Sequence, residues 1–199
     1  MKTNLRLIGG KRLQSPNNIY TRPTTLRVRE AIFNILSNRV ENSNWLDLFS
    51  GTGAISCEAY NHGAKKIIAI EKNKNTSKLC LKNLLSLHDT ANRKNDIDVI
   101  CQDVLIWTKP SYERNLSSKI IDLSKLKFDF IYMDPPYYAN SHELVLNQVF
   151  NCNFLKKDSM VICEHSPSLE FKKNSLWETI DVRDYGQSRL TFLINVQHT

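Results

Sequence analysis

The sequence predicts an α/β protein built on a doubly wound, mostly parallel seven-stranded sheet whose last two strands form a C-terminal antiparallel hairpin. Three observations lead there. Short apolar runs alternate with helical patterns along the chain, as strand–helix–strand units of a parallel sheet require. Those runs alternate little, which is how strands covered on both faces read. The chain closes instead with two strand-like stretches around Tyr185-Gly186-Gln187, the pattern of a hairpin.

Taken in order, residues 5–8 form a short apolar strand-like piece, followed by Gly9-Gly10 and a polar loop with Pro16 and Pro23. A helix is expected from Thr24 or Thr25, because a hydroxyl directly after a proline is a usual N-cap setting. Val28, Ala31, Ile32, Ile35 and Leu36 fall on one face of it. Arg27, Glu30 and Asn34 lie opposite, with Arg29 at the border. Residues 44–49 read as the first buried strand, then Ser50-Gly51-Thr52-Gly53, then a helix from Ala54 to about Asn61. Lys66–Glu71 is the second strand, followed by a helix to about Leu87, and 97–101 is the third strand. Residues 107–127 are polar and weakly periodic, a surface excursion. Phe128–Met133 is the fourth strand, and Pro135 and Pro136 must end it because they cannot donate to a ladder. A helix over 142–150, a fifth strand over 159–164 and the hairpin strands 177–182 and 189–196 complete the chain.

The 199 residues suffice for one compact domain, 1–199, with a full core. No apolar run approaches the roughly 18 residues of a membrane span, and the amino terminus carries no apolar signal segment. Five cysteines with no C-x-x-C pair favour buried, reduced thiols in a cytoplasmic protein over disulfides or a metal site. The net charge of +7 is segregated. Residues 1–40 hold eight Lys/Arg and a single acid, Glu30, while the rest of the chain is balanced. A basic strand, loop and helix set before a neutral domain is the footprint of a nucleic-acid-binding arm.

Two motifs carry chemistry. Asp47-Leu-Phe-Ser50-Gly51-Thr52-Gly53 turns the first strand into a helix, where glycines admit close approach of a ligand and helix N–H groups point outward. The third glycine of a dinucleotide fingerprint is replaced by Ser56, and no lysine follows the glycines as a phosphate loop needs. Glu71 follows the second strand and Asp103 the third, so three successive strands come with carboxylates at their ends. An acid after the second strand typically binds ribose hydroxyls. A ligand with ribose, adenine, an ammonium and a cationic sulfonium suits such a site; an anionic dinucleotide does not. The second motif is Asp134-Pro135-Pro136-Tyr137 at the end of the fourth strand. A carboxylate and a free carbonyl beside an aromatic ring suit a planar group bearing an NH2.

In this order the glycine motif, Glu71, Asp103 and Asp134–Tyr137 resemble a class I S-adenosylmethionine-dependent amino-methyltransferase, a Rossmann-like fold. More narrowly, Arg6-Leu-Ile-Gly-Gly-Lys11, the block from Arg22 to Glu30, and Tyr185-Gly186 resemble the bacterial 16S rRNA guanine-N2 methyltransferase family. The stretch after Gly10 is shorter than that family's usual basic loop, and 107–127 is longer. The resemblance implies S-adenosylmethionine held by Asp47, Ser50, Gly51, Thr52, Gly53, Glu71 and Asp103. It implies a target base held by Asp134, Pro135, Pro136 and Tyr137. Arg6, Lys11, Arg22, Thr24, Arg27 and Arg29 would grip RNA. The implied substrate is one guanine of 16S rRNA, nucleotide 966 in the usual numbering. It would be met in free rRNA or in assembling 30S particles, by a monomer needing no metal and no membrane. Three other readings stay open on the residues, one of them a glutamine methyltransferase acting on a protein, which the basic amino-terminal arm disfavours. An adenine-N6 methyltransferase acting on DNA could use the same acceptor pair, though the chain shows no separate target-recognition domain. A non-catalytic RNA-binding module could keep the fold.

Overall fold

The computed structural model describes residues 5–15, 24–91, 96–111, 115–116, 119–120, 126–136, 141–171 and 175–196. A small hairpin comes first. Leu7 N–H donates to Lys11 O at 2.9 Å and Leu13 N–H to Leu5 O at 2.8 Å, with Gly10 turning at φ 84°. Leu5, Leu7 and Leu13 are buried. Helix α1 (Leu26–Leu36) is capped by the Thr25 hydroxyl, which accepts from Val28 N–H at 3.3 Å. A 3-10 turn then leads into β1 (Asn44–Leu48), α2 (Ala54–Asn61), β2 (Lys66–Glu71), α3 (Lys74–Ala91) and β3 (Asp96–Cys101). A single turn, α4 (Val104–Trp107), and a two-residue pair, β4 (Asn115–Leu116) with β5 (Lys119–Ile120), precede β6 (Phe128–Met133). Then come α5 (Ser141–Asn151), β7 (Leu155–His165), β8 (Trp177–Tyr185) and β9 (Ser188–Asn195).

The seven-stranded sheet has the order β3-β2-β1-β6-β7-β9-β8. It is parallel from β3 to β7, and β9 is antiparallel to both neighbours. Successive residues of each strand serve opposite faces. Trp45, Ile67, Ala69, Phe130, Tyr132 and Ile162 face a core shared with the amino-terminal hairpin, α1, α2 and α3. Leu46, Leu48, Ile68, Ile131, Met133 and Val161 face a second core shared with α4 and α5. Both faces are covered, so the central strands are apolar throughout. The chain moves outward from β1 to β3 and returns to β6 on the other side of β1. That places the topological switch point between β1 and β6, where open α/β sheets bind ligands at the carboxyl ends of the strands.

Several expectations need adjustment. The buried residues of α1 are Val28, Arg29, Ile32, Phe33 and Leu36, while Ile35 is exposed. The face is rotated because Phe33 stacks on Trp45 at 5.5 Å and on His62 at 4.5 Å. Strand β7 begins at Leu155, ahead of the expected 159. Asp158 adopts φ 60°, and the pairing with β6 shifts between Phe128 and Phe130, so the polar Lys156-Lys157-Asp158 interrupts the pattern without ending the strand. Cys101 is exposed at the end of the edge strand β3, whereas Cys57, Cys80 and Cys163 are buried. Among the described residues, no helix is long and apolar enough to cross a membrane.

Candidate active site

The loop after β1 is tied to the end of β2. Ser50 N–H donates to Ile70 O at 2.9 Å, and Gly51 N–H donates to Glu71 Oε2 at 3.0 Å. The other Glu71 oxygen accepts from Asn73 N–H at 2.7 Å, fixing the turn into α3. Asp47, just upstream, is buried and accepts from Ser56 N–H at 3.2 Å and from the Ser56 hydroxyl through Oδ2. Ser56, which breaks the dinucleotide fingerprint, therefore holds the carboxyl group in place. Among the described residues, Asp47 Oδ1 is buried with no hydrogen-bond partner. Burial pushes the Asp47 carboxyl up to about 7, against the pull of the Ser56 hydrogen bonds.

The two glycines have different reasons. A Cβ on Gly51, at φ 53°, would meet nothing within 4 Å, so its backbone faces open space. One on Gly53, at φ 80°, would lie 2.6 Å from Cys80 Sγ, so Gly53 serves the packing of α2 against α3. The open approach expected at both glycines is seen at Gly51, whereas at Gly53 the space a side chain would need is taken by Cys80. Asp103 caps α4, accepting from Leu105 N–H at 2.8 Å.

Strand β6 carries the other half of the site. Asp47 and Tyr132 are register partners across β1 and β6, on the same face. Two residues on, Asp134 is half-buried, Pro135 is buried and Pro136 is exposed. Tyr137 lies outside the described residues, as does Arg22. The cleft between the strand ends is lined by Thr24, Asp47, the loop 49–52, Ala54, Ile55, Tyr132 and Asp134. Among the described residues it holds two carboxylates and no basic side chain. Such a donor set, with an unpaired buried Asp47 oxygen and an open Gly51 backbone, fits a cationic ligand and fits a phosphate poorly.

The basic arm divides. Arg27 is exposed, with its guanidinium over the Tyr185 ring at 5.8 Å. Arg6 reaches Gly10 O at 3.3 Å, and Lys11 Nζ donates to Ser86 O at 2.6 Å. Thr24 turns its hydroxyl into the cleft, 3.2 Å from the Tyr132 hydroxyl. Arg29 is 2% exposed and its reading as a phosphate grip is corrected. Its Nε donates to Glu58 at 3.2 Å, Nη1 to Thr24 O at 2.7 Å and Nη2 to Arg6 O, so all three of its nitrogens are engaged inside the protein.

Tyr132 and Glu164 escaped the reading of motifs. The Tyr132 hydroxyl donates to Glu164 Oε2 at 2.6 Å, and Ser188 Oγ donates to Oε1 at 2.8 Å. The available signal was a glutamate at the end of the apolar run Met160-Val-Ile-Cys163, a charge that needs partners once buried. Among the described residues, no three His, Cys, Asp or Glu side chains are grouped to hold a metal ion.

Comparison with known proteins gives the family and the fold. The family described as Conserved hypothetical protein 95 matches residues 5–194. An uncharacterized methylase of Rickettsia prowazekii is 26% identical over 98% of this chain and 99% of its own. The ribosomal RNA small subunit methyltransferase D of Haemophilus influenzae is 29% identical over 82% of this chain and 79% of its own. Its Buchnera aphidicola counterpart is 28% identical over 78% and 72%. Among solved structures, a candidate methyltransferase from Escherichia coli superposes with a TM-score of 0.76 at 24% identity, over 96% of this chain and 97% of that one. A candidate methylase from Haemophilus influenzae gives 0.68 at 25% identity, over 85% and 96%. With an acidic cleft at the switch point of a class I methyltransferase sheet and a family match over nearly its whole length, the chain belongs to the Conserved hypothetical protein 95 family and is a methyltransferase.

Proposed function

We propose that this methyltransferase modifies the exocyclic N2 amine of a guanine in 16S rRNA, nucleotide 966 in the usual numbering, within free rRNA or an assembling 30S particle. S-Adenosylmethionine, when bound, supplies an electrophilic methyl group on a positively charged sulfur. A more distant structural neighbour, 18% identical with a TM-score of 0.59, is a candidate methyltransferase complexed with S-adenosylhomocysteine. The observation that carries the reading is the pair Asp47 and Asp134, which line one cleft, free of basic side chains among the described residues, at the ends of adjacent strands.

Each residue has a task in this reading. Asp47 faces the donor's positive charge, Glu71 accepts from ribose hydroxyls, and Asp103 marks the adenine side. Ser50, Gly51 and Thr52 line the loop around it, and Gly53 lets that loop pack on α3. A guanine N2 lone pair is delocalised into the ring and is a poor nucleophile. Asp134 and the Pro135 carbonyl accept its two N–H bonds, localise the pair and aim it. The Asp134 carboxylate also stabilises the charge that develops on nitrogen, and the proton leaves after transfer. Tyr137 provides a stacking face for a base splayed out of its helix. Arg6, Lys11, Arg22 and Arg27 supply the phosphate contacts.

Incubation with methyl-labelled S-adenosylmethionine and 16S rRNA, 30S particles or duplex DNA tests the reading. Nuclease digestion of the product should yield N2-methylguanosine from RNA. Label recovered as N6-methyladenine in DNA would replace this function with the adenine-specific one.

A further inference from the structure

The Tyr132 hydroxyl sits at the centre of a closed ring of contacts around the catalytic end of β6. It carries one proton and donates it to Glu164 Oε2 at 2.6 Å, so the Thr24 hydroxyl at 3.2 Å must be the donor to it. Glu164 receives a second donor, Ser188 Oγ, at 2.8 Å. Ser188 is the register partner of Tyr185 across the turn of the β8–β9 hairpin. The Tyr185 ring lies under the Arg27 guanidinium at 5.8 Å, and Arg27 stands on the first turn of α1, three residues after Thr24. Thr24, Tyr132, Glu164, Ser188, Tyr185 and Arg27 thus link α1, β6, β7 and the hairpin and return to α1. Tyr132, Glu164 and Ser188 are 2%, 6% and 5% exposed. Burial, with Glu164 and Asp134 nearby, raises the Tyr132 phenol, so it stays a donor.

We propose that Tyr132 and Glu164 are positioning residues for methyl transfer: their hydrogen bonds hold Asp134 in fixed register with the arm and hairpin that face the RNA. The inference rests on the function proposed above. Three features favour positioning over stability alone. Tyr132 lies two residues before Asp134, at the end of the strand that Asp134 follows, and lines the same cleft. Both oxygens of a buried carboxylate are spent on this one network. The network also includes Thr24 at the foot of the basic arm and Tyr185 at the hairpin turn.

Tyr132→Phe keeps the ring and removes only the hydroxyl. In single-turnover transfer to 16S rRNA or 30S particles its rate should fall about 10- to 100-fold, as a displacement on the order of 1 Å at the reacting atoms would do. The KM for the methyl donor should stay within about twofold of the wild type, separating this role from cofactor binding. Adding Glu164→Gln should cost little more, because the two act through one network. A transfer rate within about twofold of the wild type, or a loss explained by donor KM, overturns the proposal. Amide hydrogen exchange provides a readout independent of substrate. In Tyr132→Phe the first turn of α1 and the turn at Gly186 should lose protection together, while the loop at Gly51 keeps its own. Unchanged protection at the hairpin turn overturns the ring whatever the substrate is. Failure of the wild-type enzyme to methylate rRNA counts against the function reading alone, and the exchange measurement still decides the ring.

Discussion

Arg29 and Glu58 meet at 3.2 Å in the seam between α1 and α2, with side chains 2% and 0% exposed. The Glu58 oxygen that receives Arg29 also accepts Ile8 N–H at 2.9 Å, so one buried pair fastens two helices and the amino-terminal hairpin. Removing one partner of such a pair leaves an uncompensated buried charge. Arg29→Ala should therefore destabilise the protein by about 3–5 kcal/mol, measured by urea unfolding. Arg29→Lys should recover little, because a lysine cannot serve Glu58, Thr24 O and Arg6 O at once. A folded Arg29→Ala protein of wild-type stability with weakened RNA binding would restore the phosphate-grip reading.

Asp47 predicts how pH acts. Its carboxyl is raised from 3.8 to about 7 by burial, so the fold favours the protonated form. The resulting stabilisation is complete below the unfolded value and is lost as pH rises through about 7. A shift of this size corresponds to about 4 kcal/mol at most. The ligand-free Tm should fall between about pH 4 and pH 7, and Asp47→Asn should flatten that fall. A cationic ligand favours the ionised carboxyl, so its binding should release protons and tighten as pH rises through 7. Calorimetry in buffers of different ionisation enthalpy measures the release, and a value of zero would remove Asp47 from the cationic site.

The two glycines should part company under alanine substitution. Gly53→Ala forces a Cβ to 2.6 Å from Cys80 Sγ at φ 80° and should cost about 2–3 kcal/mol of stability. Gly51→Ala meets open space at φ 53° and should cost about 1–2 kcal/mol. Its larger effect should be on S-adenosylmethionine affinity, because a methyl group would project where the ligand is expected. Equal loss of affinity in two equally stable variants would contradict this division.

Asp134 and Glu71 should separate rate from binding. Asp134→Ala should raise the barrier to transfer by about 2–4 kcal/mol with cofactor affinity nearly intact. Glu71→Ala should weaken cofactor affinity instead, on the order of tenfold, since the proposed ribose contacts and the Gly51 N–H acceptor would disappear together. Calorimetry beside single-turnover rates distinguishes the two, and a reversed pattern would exchange their roles.

Arg27 should contribute to salt-dependent RNA binding. Arg27→Ala should flatten the slope of log affinity against log salt by about 0.7–0.9 while leaving cofactor affinity alone. An unchanged slope would mean that its guanidinium serves only the Tyr185 ring.

The sheet was legible because its signals are local. Ile67–Ile70 and Phe128–Met133 are apolar enough to be strands buried on both faces, and Pro135 marks where the last one stops. The acids at the strand ends could be read for the same reason. What stayed hidden depends on partners distant in sequence. A helical wheel places Arg29 at a polar border and says nothing of Glu58, which arrives on another helix. Gly53 looks like a ligand glycine until Cys80 packs on it. The start of β7 was missed because Lys156-Lys157-Asp158 reads as loop, although the strand continues through it with an irregular register. Tyr132 and Glu164 look like ordinary strand residues until parallel pairing sets Tyr132 opposite Ile162, from where its hydroxyl reaches Glu164 two residues on.

The amino-terminal hairpin sets a limit on how this enzyme can be engineered. Leu5, Leu7 and Leu13 belong to the same core as Val28, Trp45 and Leu84, and Asn83 of α3 bonds both Gln14 and Thr52 O at the glycine loop. The arm is therefore no detachable module. Trimming it would bare the inner wall of the catalytic sheet and strand Glu58. Exchanging it between relatives to redirect specificity would succeed only if Glu58, Asn83 and their surroundings travelled with it, so a graft must carry a wedge of the catalytic body along with its leading strand and helix.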